Sequence, residues 1–382
     1  MKKLPIGIEN FREIIEGGYL YVDKTQDVYN LIDDIKYNFL SRPKGFGKTL
    51  LMDTIAEAFG GDKELFKGLW IYDSGHDFAK HPVIRLEMGK MANETGEILE
   101  KSIMERLGAI GSAEGLAIKG TFVSDTFMRL IERLHAKYNK RVVVLIDDYD
   151  KPILDHINDF EAAAQNRQVL LGFYGILKSM DEHLHFTLVT GMTRFTNATI
   201  FSGLNNLFDL TMSYRSASLC GIPENSLCEY FGEYIESLRQ NEDFCRYESI
   251  ADEILAWYGG YSWDGETRML NPHSLLSFFA EGKFKEYWHA ADIPGFLIEK
   301  AKKTPKVLLN LNDIALPDNL LTIFEIERLE MEPFMFHTGY ISVKEVEQTR
   351  GPDIYILDTP NREVREAFER NVLSPLGNGA KI

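Results

Sequence analysis

The chain has 382 residues, 45% of them apolar and 26% charged, which excludes a largely disordered chain because apolar side chain is plentiful enough to offset the entropy of ordering it. Its 42 Lys and Arg against 58 Asp and Glu leave a net charge of −16, so the chain is a poor general polyanion binder and nucleic acid would need a local basic patch or a basic partner. At about 150 residues per domain the length fits two or three domains.

The first residues, Met1-Lys2-Lys3-Leu4-Pro5-Ile6-Gly7, begin basic, yet Glu9, Arg12, Glu13 and Glu16 interrupt the apolar run a leader needs. No stretch approaches the roughly 18 apolar residues of a membrane span, so none is expected. Cys220, Cys228 and Cys245 are spaced for neither a disulfide framework nor a zinc site. They read as buried free thiols, for which a reducing cytoplasm is the expected compartment.

In chain order, Tyr37-Asn38-Phe39-Leu40 is a short strand, followed by a turn from Ser41 to Gly47. Leu51, Ile55 and Phe59 recur every fourth residue and predict a helix over Lys48–Phe59, stopped by Gly60-Gly61. Pro82–Leu86 predicts a second strand, and the apolar spacings over 95–108 and 121–138 predict helices. Arg141–Ile146 is a continuous β-branched run, the pattern of a strand covered on both faces. A helix over 161–180 and a strand over His185–Thr190 follow. This alternation predicts an α/β fold with a doubly wound parallel sheet over 1–215.

Beyond about residue 215 the pattern turns helical, with helices over 224–239 and 248–258, a break at Tyr258–Trp263, and a helix capped by Asn271-Pro272 that runs to Phe279. We expect a helical lid over 216–291. Helices near 296–312 and 317–329, a hairpin from 339–343 and 353–357, and a last helix from Asn361 to Leu373 suggest a winged-helix-like module over 292–382.

The strongest chemical signal is Arg42-Pro43-Lys44-Gly45-Phe46-Gly47-Lys48-Thr49, set between a strand and a helix. A phosphate-binding loop needs inward N–H groups, a helix N-terminus, a lysine for the β and γ phosphates, and a hydroxyl for Mg²⁺. Gly47, Lys48 and Thr49 supply the end of that pattern, but Arg42 stands where an opening glycine belongs. An ordinary basic turn is the competing reading. The second signal is Asp147-Asp148 at the end of the β-branched strand, the sheet edge where ligands of open α/β folds bind. In a nucleotide site Asp147 would hold Mg²⁺ and Asp148 would orient or deprotonate the attacking water. A solvated acidic turn is the alternative. After the next strand, Thr190, Thr193 and Arg194 are candidates for sensing a γ-phosphate, against a merely polar strand end.

Taken together, "YLYVDKT" at 19–25, "FLSRPKGFGKTLLMDTI" at 39–55, "VVVLIDDYDKPIL" at 142–154 and "TLVTGMTRF" at 187–195 resemble the bacterial and archaeal AAA-ATPase-like family. "YGGYSW" at 258–263, "NPHSLL" at 271–276 and "PNREVREAF" at 360–368 extend the resemblance over nearly the whole chain. The resemblance implies an AAA+/STAND-like P-loop NTPase core, a helical lid and a C-terminal connecting module. It implies Lys48 and Thr49 as the Walker A pair, Asp147 as the Walker B metal ligand, and ATP with Mg²⁺ as ligands. It also accounts for Arg42, because loops of this family typically open with Arg-Pro. Asp148 departs from the family's usual glutamate and is one methylene shorter, so binding is the safer expectation and hydrolysis should be slow. Members are often fused to a C-terminal PD-(D/E)XK nuclease, for which this sequence offers no matching constellation, so no nuclease activity is expected of it.

Weaker candidates remain. Tyr19, Tyr21 and Asp23-Lys24 precede the loop and could lie against a base, or simply pack in the core. Arg194 and Arg215 read either as arginine fingers or as salt-bridge partners. His76 and His81 form no convincing metal pair, and Tyr258, Tyr261, Trp263 and Trp288 read as core. The functional expectation is a slow Mg²⁺-ATPase that acts as a conformational switch. The alternative is a nucleic-acid-binding or partner-docking module with a vestigial nucleotide site, its partner a nucleic acid or a protein effector met through the C-terminal module. Transfer of a phosphoryl group to another acceptor ranks last.

Overall fold

The computed structural model describes residues 1–195, 200–201, 204, 206–288, 311–323 and 329–374. Two short helices, α1 (Phe11–Glu16) and α2 (Thr25–Asp34), precede β1 (Tyr37–Ser41) and α3 (Lys48–Ala58). There follow β2 (Val83–Glu87), α4 (Gly96–Ala113), α5 (Val123–Tyr138), β3 (Val142–Asp147), α6 (Lys151–Leu154), α7 (Phe160–Ser179), β4 (Leu184–Gly191) and β5 (Phe208–Asp209). The five strands make one sheet in the order β2-β3-β4-β1-β5, with every pair parallel. This is an α/β architecture consistent with a P-loop-like fold.

The central strands follow from their side chains. All six residues of β3 are buried, as an uninterrupted β-branched run requires. β2 lies at the sheet edge and buries only alternate residues, Ile84 and Leu86. The two-residue β5 is too short to give a periodic signal, and the sequence reading did not contain it. α3 packs on β3 and β4, α4, α5 and α7 pack on one another, and Phe127 stacks on Phe173 at 4.6 Å between ring centres. Because strands are parallel, the carboxyl ends of β1, β3 and β4 come out side by side.

β6 (Ile222–Pro223) pairs with β7 (Met269–Leu270), and α8 (Leu227–Leu238), α9 (Ile250–Tyr258) and α10 (Pro272–Glu281) surround a separate apolar cluster that includes Phe231, Ile254 and Phe278. Asn271 caps α10, its side-chain oxygen accepting the N–H groups of His273 and Ser274.

The C-terminal part holds β8 (Ile314–Pro317), α11 (Met331–Thr338), β9 (Ser342–Glu347), β10 (Ile354–Asp358) and α12 (Arg362–Phe368), which continues into a π turn to Leu373. Its sheet is antiparallel in the order β8-β10-β9, and the expected hairpin is β9–β10. The helix expected over 317–329 is corrected over its described part. Leu316 precedes a proline and stays extended, pairing with Tyr355, and only a short 3-10 turn follows at Asp318–Leu321. The helix expected near 296–312 falls almost wholly outside the described residues. α11 was not foreseen because all but its Glu332 are buried, which leaves no polar face to reveal a period.

Two further outcomes concern single residues. Cys220 is buried, but Cys228 and Cys245 are exposed, so the expectation of three buried thiols is corrected for two of them. Cys228 lies on the outer side of the first turn of α8, and Cys245 follows a 3-10 turn. Among the described residues no helix is long and apolar enough to cross a membrane.

Candidate functional site

β1 runs between β4 and β5 and delivers residues 42–47 to the sheet's carboxyl edge, directly below the first turn of α3. The loop turns on Gly45 and Gly47, whose φ values of +82° and +86° are strained for any residue with a Cβ. Gly45 is also crowded, since a Cβ there would lie 3.1 Å from both Asn271 Oδ1 and His273 Cβ. Thus the loop and the start of α10 touch through a position only glycine fits.

Lys48 is 7% exposed and folds back over the loop, donating to the carbonyl oxygens of Arg42 at 3.0 Å and Pro43 at 3.2 Å. Thr49 Oγ1 donates to Asp147 Oδ2 at 2.8 Å. Thr190 Oγ1 donates to the other oxygen, Oδ1, at 2.6 Å. The ends of β3 and β4 and the first turn of α3 therefore place a hydroxyl–carboxylate–hydroxyl row at the sheet edge, deeply buried at Asp147 and Thr190.

Asp148 sits one residue on, at a left-handed φ of +51° that turns its chain out of the strand direction. Burial and then the neighbouring Asp147 charge push its carboxyl up to about 6, with Lys48 and Lys44 pulling the other way. Asp150 is 1% exposed and its carboxylate accepts the N–H groups of Met192 and Thr193 as well as the Thr193 hydroxyl. Burial raises its pKa also.

Above these residues lies a cleft of about 400 Å³, within the size range of small-ligand sites. Lys44, Gly45, Lys48, Thr49, Asp148 and Lys151 line its floor. Pro5 to Glu9 and the Pro272, His273 and Ser277 end of α10 form its other wall. A chain of net charge −16 thus gathers three lysines around one concavity.

A model of the family described as Predicted AAA-ATPase matches residues 5–201, just over half of the chain and the part that holds this cleft. The chain belongs to the AAA-ATPase-like family. A relative from Azotobacter chroococcum mcd 1, described as an uncharacterized protein in the vnfD 5' region, is 37% identical over 373 residues, spanning 97% of this chain and 70% of its own length.

Within the AAA-ATPase-like chain, not every residue singled out from the sequence reaches the cleft. Arg42 is corrected as a direct ligand. Its guanidinium is 1% exposed, donates to the carbonyls of Ser41, Thr211 and Ser216, and lies 3.9 Å from the Trp263 ring centre. Burial among carbonyls with no carboxylate partner pushes it down to about 10. Phe46 is likewise corrected, buried edge-on against Tyr261 and Trp263. Pro43 is buried beside Gly339. These three hold the loop from behind.

Thr193 is fully buried and committed to Asp150. Arg194 is paired with Asp209 and with Asp318 at 2.7 Å, away from the cleft lining, and Arg215 pairs with Asp34 on the surface. Both arginines are therefore salt-bridge partners, and Thr190 is the one of the three strand-end candidates that touches Asp147. Strand register carried that information. Ile146 pairs with Val189, so the residue after each lies side by side, Asp147 with Thr190.

Tyr258, Tyr261, Trp263 and Trp288 are all buried, as core residues. His81 stacks on His185 at 4.1 Å, and no group of His, Cys, Asp or Glu among the described residues is arranged to hold a metal by itself. Asp23 caps Thr25 and accepts the Trp70 N–H, whereas Tyr21 and Lys24 line a second, apolar cavity beside the cleft.

Proposed function

We propose that this cleft binds Mg²⁺-ATP, hydrolyses it slowly, and uses the bound nucleotide to set the position of a helical lid. The observation that carries the reading is the convergence of a glycine-turned loop, Lys48, and the Thr49–Asp147 hydrogen bond at 2.8 Å beneath an open cleft. Gly45, Gly47 and the first turn of α3 would present N–H groups to phosphate oxygens, where the helix dipole favours an anion. Lys48 would exchange its loop carbonyls for the β and γ phosphates.

Thr49 and Asp147 fit Mg²⁺, which takes few protein oxygens and completes its shell with water and phosphate. When bound it neutralises charge on the phosphate oxygens. Asp148 would hold the attacking water and take its proton. A carboxyl near 6 is mostly ionised at neutral pH and a better base than an ordinary aspartate. Its short side chain works against that advantage, since misplacement by one bond length can cost about a hundredfold. Slow turnover suits a switch.

In this reading residues 1–215 are the Walker-type core, 216–291 the lid, and 292–382 a winged-helix-like connecting module that meets a nucleic acid or protein effector in the cytoplasm. The apolar cluster that α8, α9 and α10 share, distinct from the core under the parallel sheet, supports a lid that moves as one body. The contact of His273 N–H with the Gly45 carbonyl at 3.4 Å supports a link from loop to lid. Phosphate release from Mg²⁺-ATP, with Lys48→Ala and Asp148→Asn beside the wild type, tests the proposal. Turnover lost in both variants is expected, and wild-type nucleotide affinity in Lys48→Ala would refute it.

A further inference from the structure

Three lysines line the cleft, and two of them are engaged. Lys48 holds the carbonyls of Arg42 and Pro43, and Lys151 is ion-paired with Asp155, four residues on. Lys44 is exposed, and among the described residues its ammonium makes no hydrogen bond or ion pair. A free lysine is ordinary on a protein surface. This one differs in how its backbone is held. Pro43 before it is buried, with a φ fixed by its ring, and Gly45 after it takes a φ of +82°. Arg42 and Phe46 are anchored behind the loop by Thr211, Ser216, Tyr261 and Trp263. The one unanchored side chain of this stretch, Lys44, shares the cleft floor with Thr49 and Asp148.

Lys44 is also close enough to Asp148 to act on it. Burial and the Asp147 charge push that carboxyl up, and Lys48 and then Lys44 pull it back. Other cations are committed elsewhere. Arg194 binds Asp209 and Asp318, Arg215 binds Asp34, and among the described residues no arginine lines the cleft.

We propose that Lys44 is a catalytic residue of this cleft, a cation supplied by the loop itself that holds the γ-phosphate oxygens while the terminal phosphoryl group passes to water. This rests on the nucleotide reading of the cleft and goes beyond it, since that reading gives Lys44 no task. In the step, the water oxygen bonds to the γ-phosphorus. The bond from that phosphorus to the bridging oxygen breaks, its electron pair stays on ADP, and the water proton goes to Asp148. Charge on the outer oxygens must be matched throughout. An arginine in that role is worth about 10³–10⁵ in rate, and a lysine, which lacks the planar fork, should give less.

The test uses the full chain as wild type, Lys44→Met, Lys44→Arg and Lys48→Ala. It measures single-turnover cleavage of Mg²⁺-ATP and equilibrium binding of Mg²⁺-ATP and of Mg²⁺-ADP, which lacks the γ-phosphate. Lys44→Met should slow cleavage about a hundredfold or more and weaken ATP binding about tenfold, with ADP bound as in the wild type. Lys44→Arg should restore cleavage and ATP binding to within about tenfold of wild type. Lys48→Ala should lose affinity for both nucleotides. Wild-type cleavage in Lys44→Met, with the Lys48→Ala loss intact, overturns this inference alone. Equal losses of ATP and ADP affinity in Lys44→Met also overturn it, because Lys44 would then shape the loop and not meet the γ-phosphate. A wild type that binds ATP without cleaving it refutes hydrolysis and this inference with it, and one that binds neither nucleotide refutes the nucleotide reading itself.

Discussion

Replacing Asp148 by asparagine separates what this residue costs the fold from what it gives to chemistry. The side chains are nearly the same shape, and asparagine tolerates the left-handed φ of +51° as well as aspartate does. What disappears is a charge that is desolvated and faces Asp147. The folded carboxyl lies near 6 against an ordinary value of 3.8, a difference of about two units, or ~3 kcal/mol. Because the folded pKa is raised, the charged form is the one the fold disfavours. The cost is fully present above about pH 6, shrinks to roughly half by about pH 5, and is gone below the unfolded value. Asp148→Asn should therefore stabilise the nucleotide-free protein by up to ~3 kcal/mol at about pH 8, less at pH 5, and not at all near pH 3. Urea midpoints at these pH values measure it. The same variant should lose phosphate release. An Asp148→Asn variant no more stable than wild type at pH 8 would mean that the carboxyl is better solvated or better paired than its surroundings imply, and the assignment of a poised base would fall with it.

Two further perturbations address the supporting residues. Thr190→Val keeps the shape but removes the hydroxyl that donates to Asp147 at 2.6 Å, and a lost hydrogen bond to a buried carboxylate should lower stability by about 1.5–3 kcal/mol in urea unfolding and weaken Mg²⁺ dependence of nucleotide binding, with Thr190→Ser retaining both. Arg42→Lys keeps the charge but not the planar fork that serves the carbonyls of Ser41, Thr211 and Ser216 while stacking on Trp263; about 2 kcal/mol or more of stability should be lost, and an unchanged urea midpoint would show that the fork is dispensable.

The sheet was legible wherever burial is complete on both faces. Val142–Ile146 needs no partner to declare itself, because six successive buried positions leave room for no polar residue until Asp147 ends the strand. The helices α4, α5 and α7 were legible for the complementary reason, a buried stripe with a wet face opposite. β8 and α11 were not. The first is four residues long and takes its conformation from pairing with β10, and the second is buried nearly all round, so neither leaves a local period. Propensity and pattern report on one chain segment at a time, and these two depend on another segment.

The same limit explains the site. Residue types at 42–49 announced a phosphate loop, yet not which of them face a ligand. The loop has two sides. Lys44, Gly45, Lys48 and Thr49 look into the cleft, whereas Arg42 and Phe46 are gripped by Tyr261 and Trp263 more than two hundred residues later in the chain. Between those two aromatics, Ser262 exchanges hydrogen bonds with Ser342 at the start of β9, donating its N–H to the Ser342 hydroxyl at 2.7 Å and accepting that hydroxyl at 3.0 Å. Spacing along the sequence cannot reveal such a grip, but its geometry is plain. Arg42 and Phe46 pack directly on Trp263 and Tyr261, which flank the backbone that carries Ser262. A close-packed interior leaves little slack between such neighbours. The residues that fail as phosphate ligands are thus the ones that pack the loop against the segment hydrogen-bonded to the C-terminal sheet.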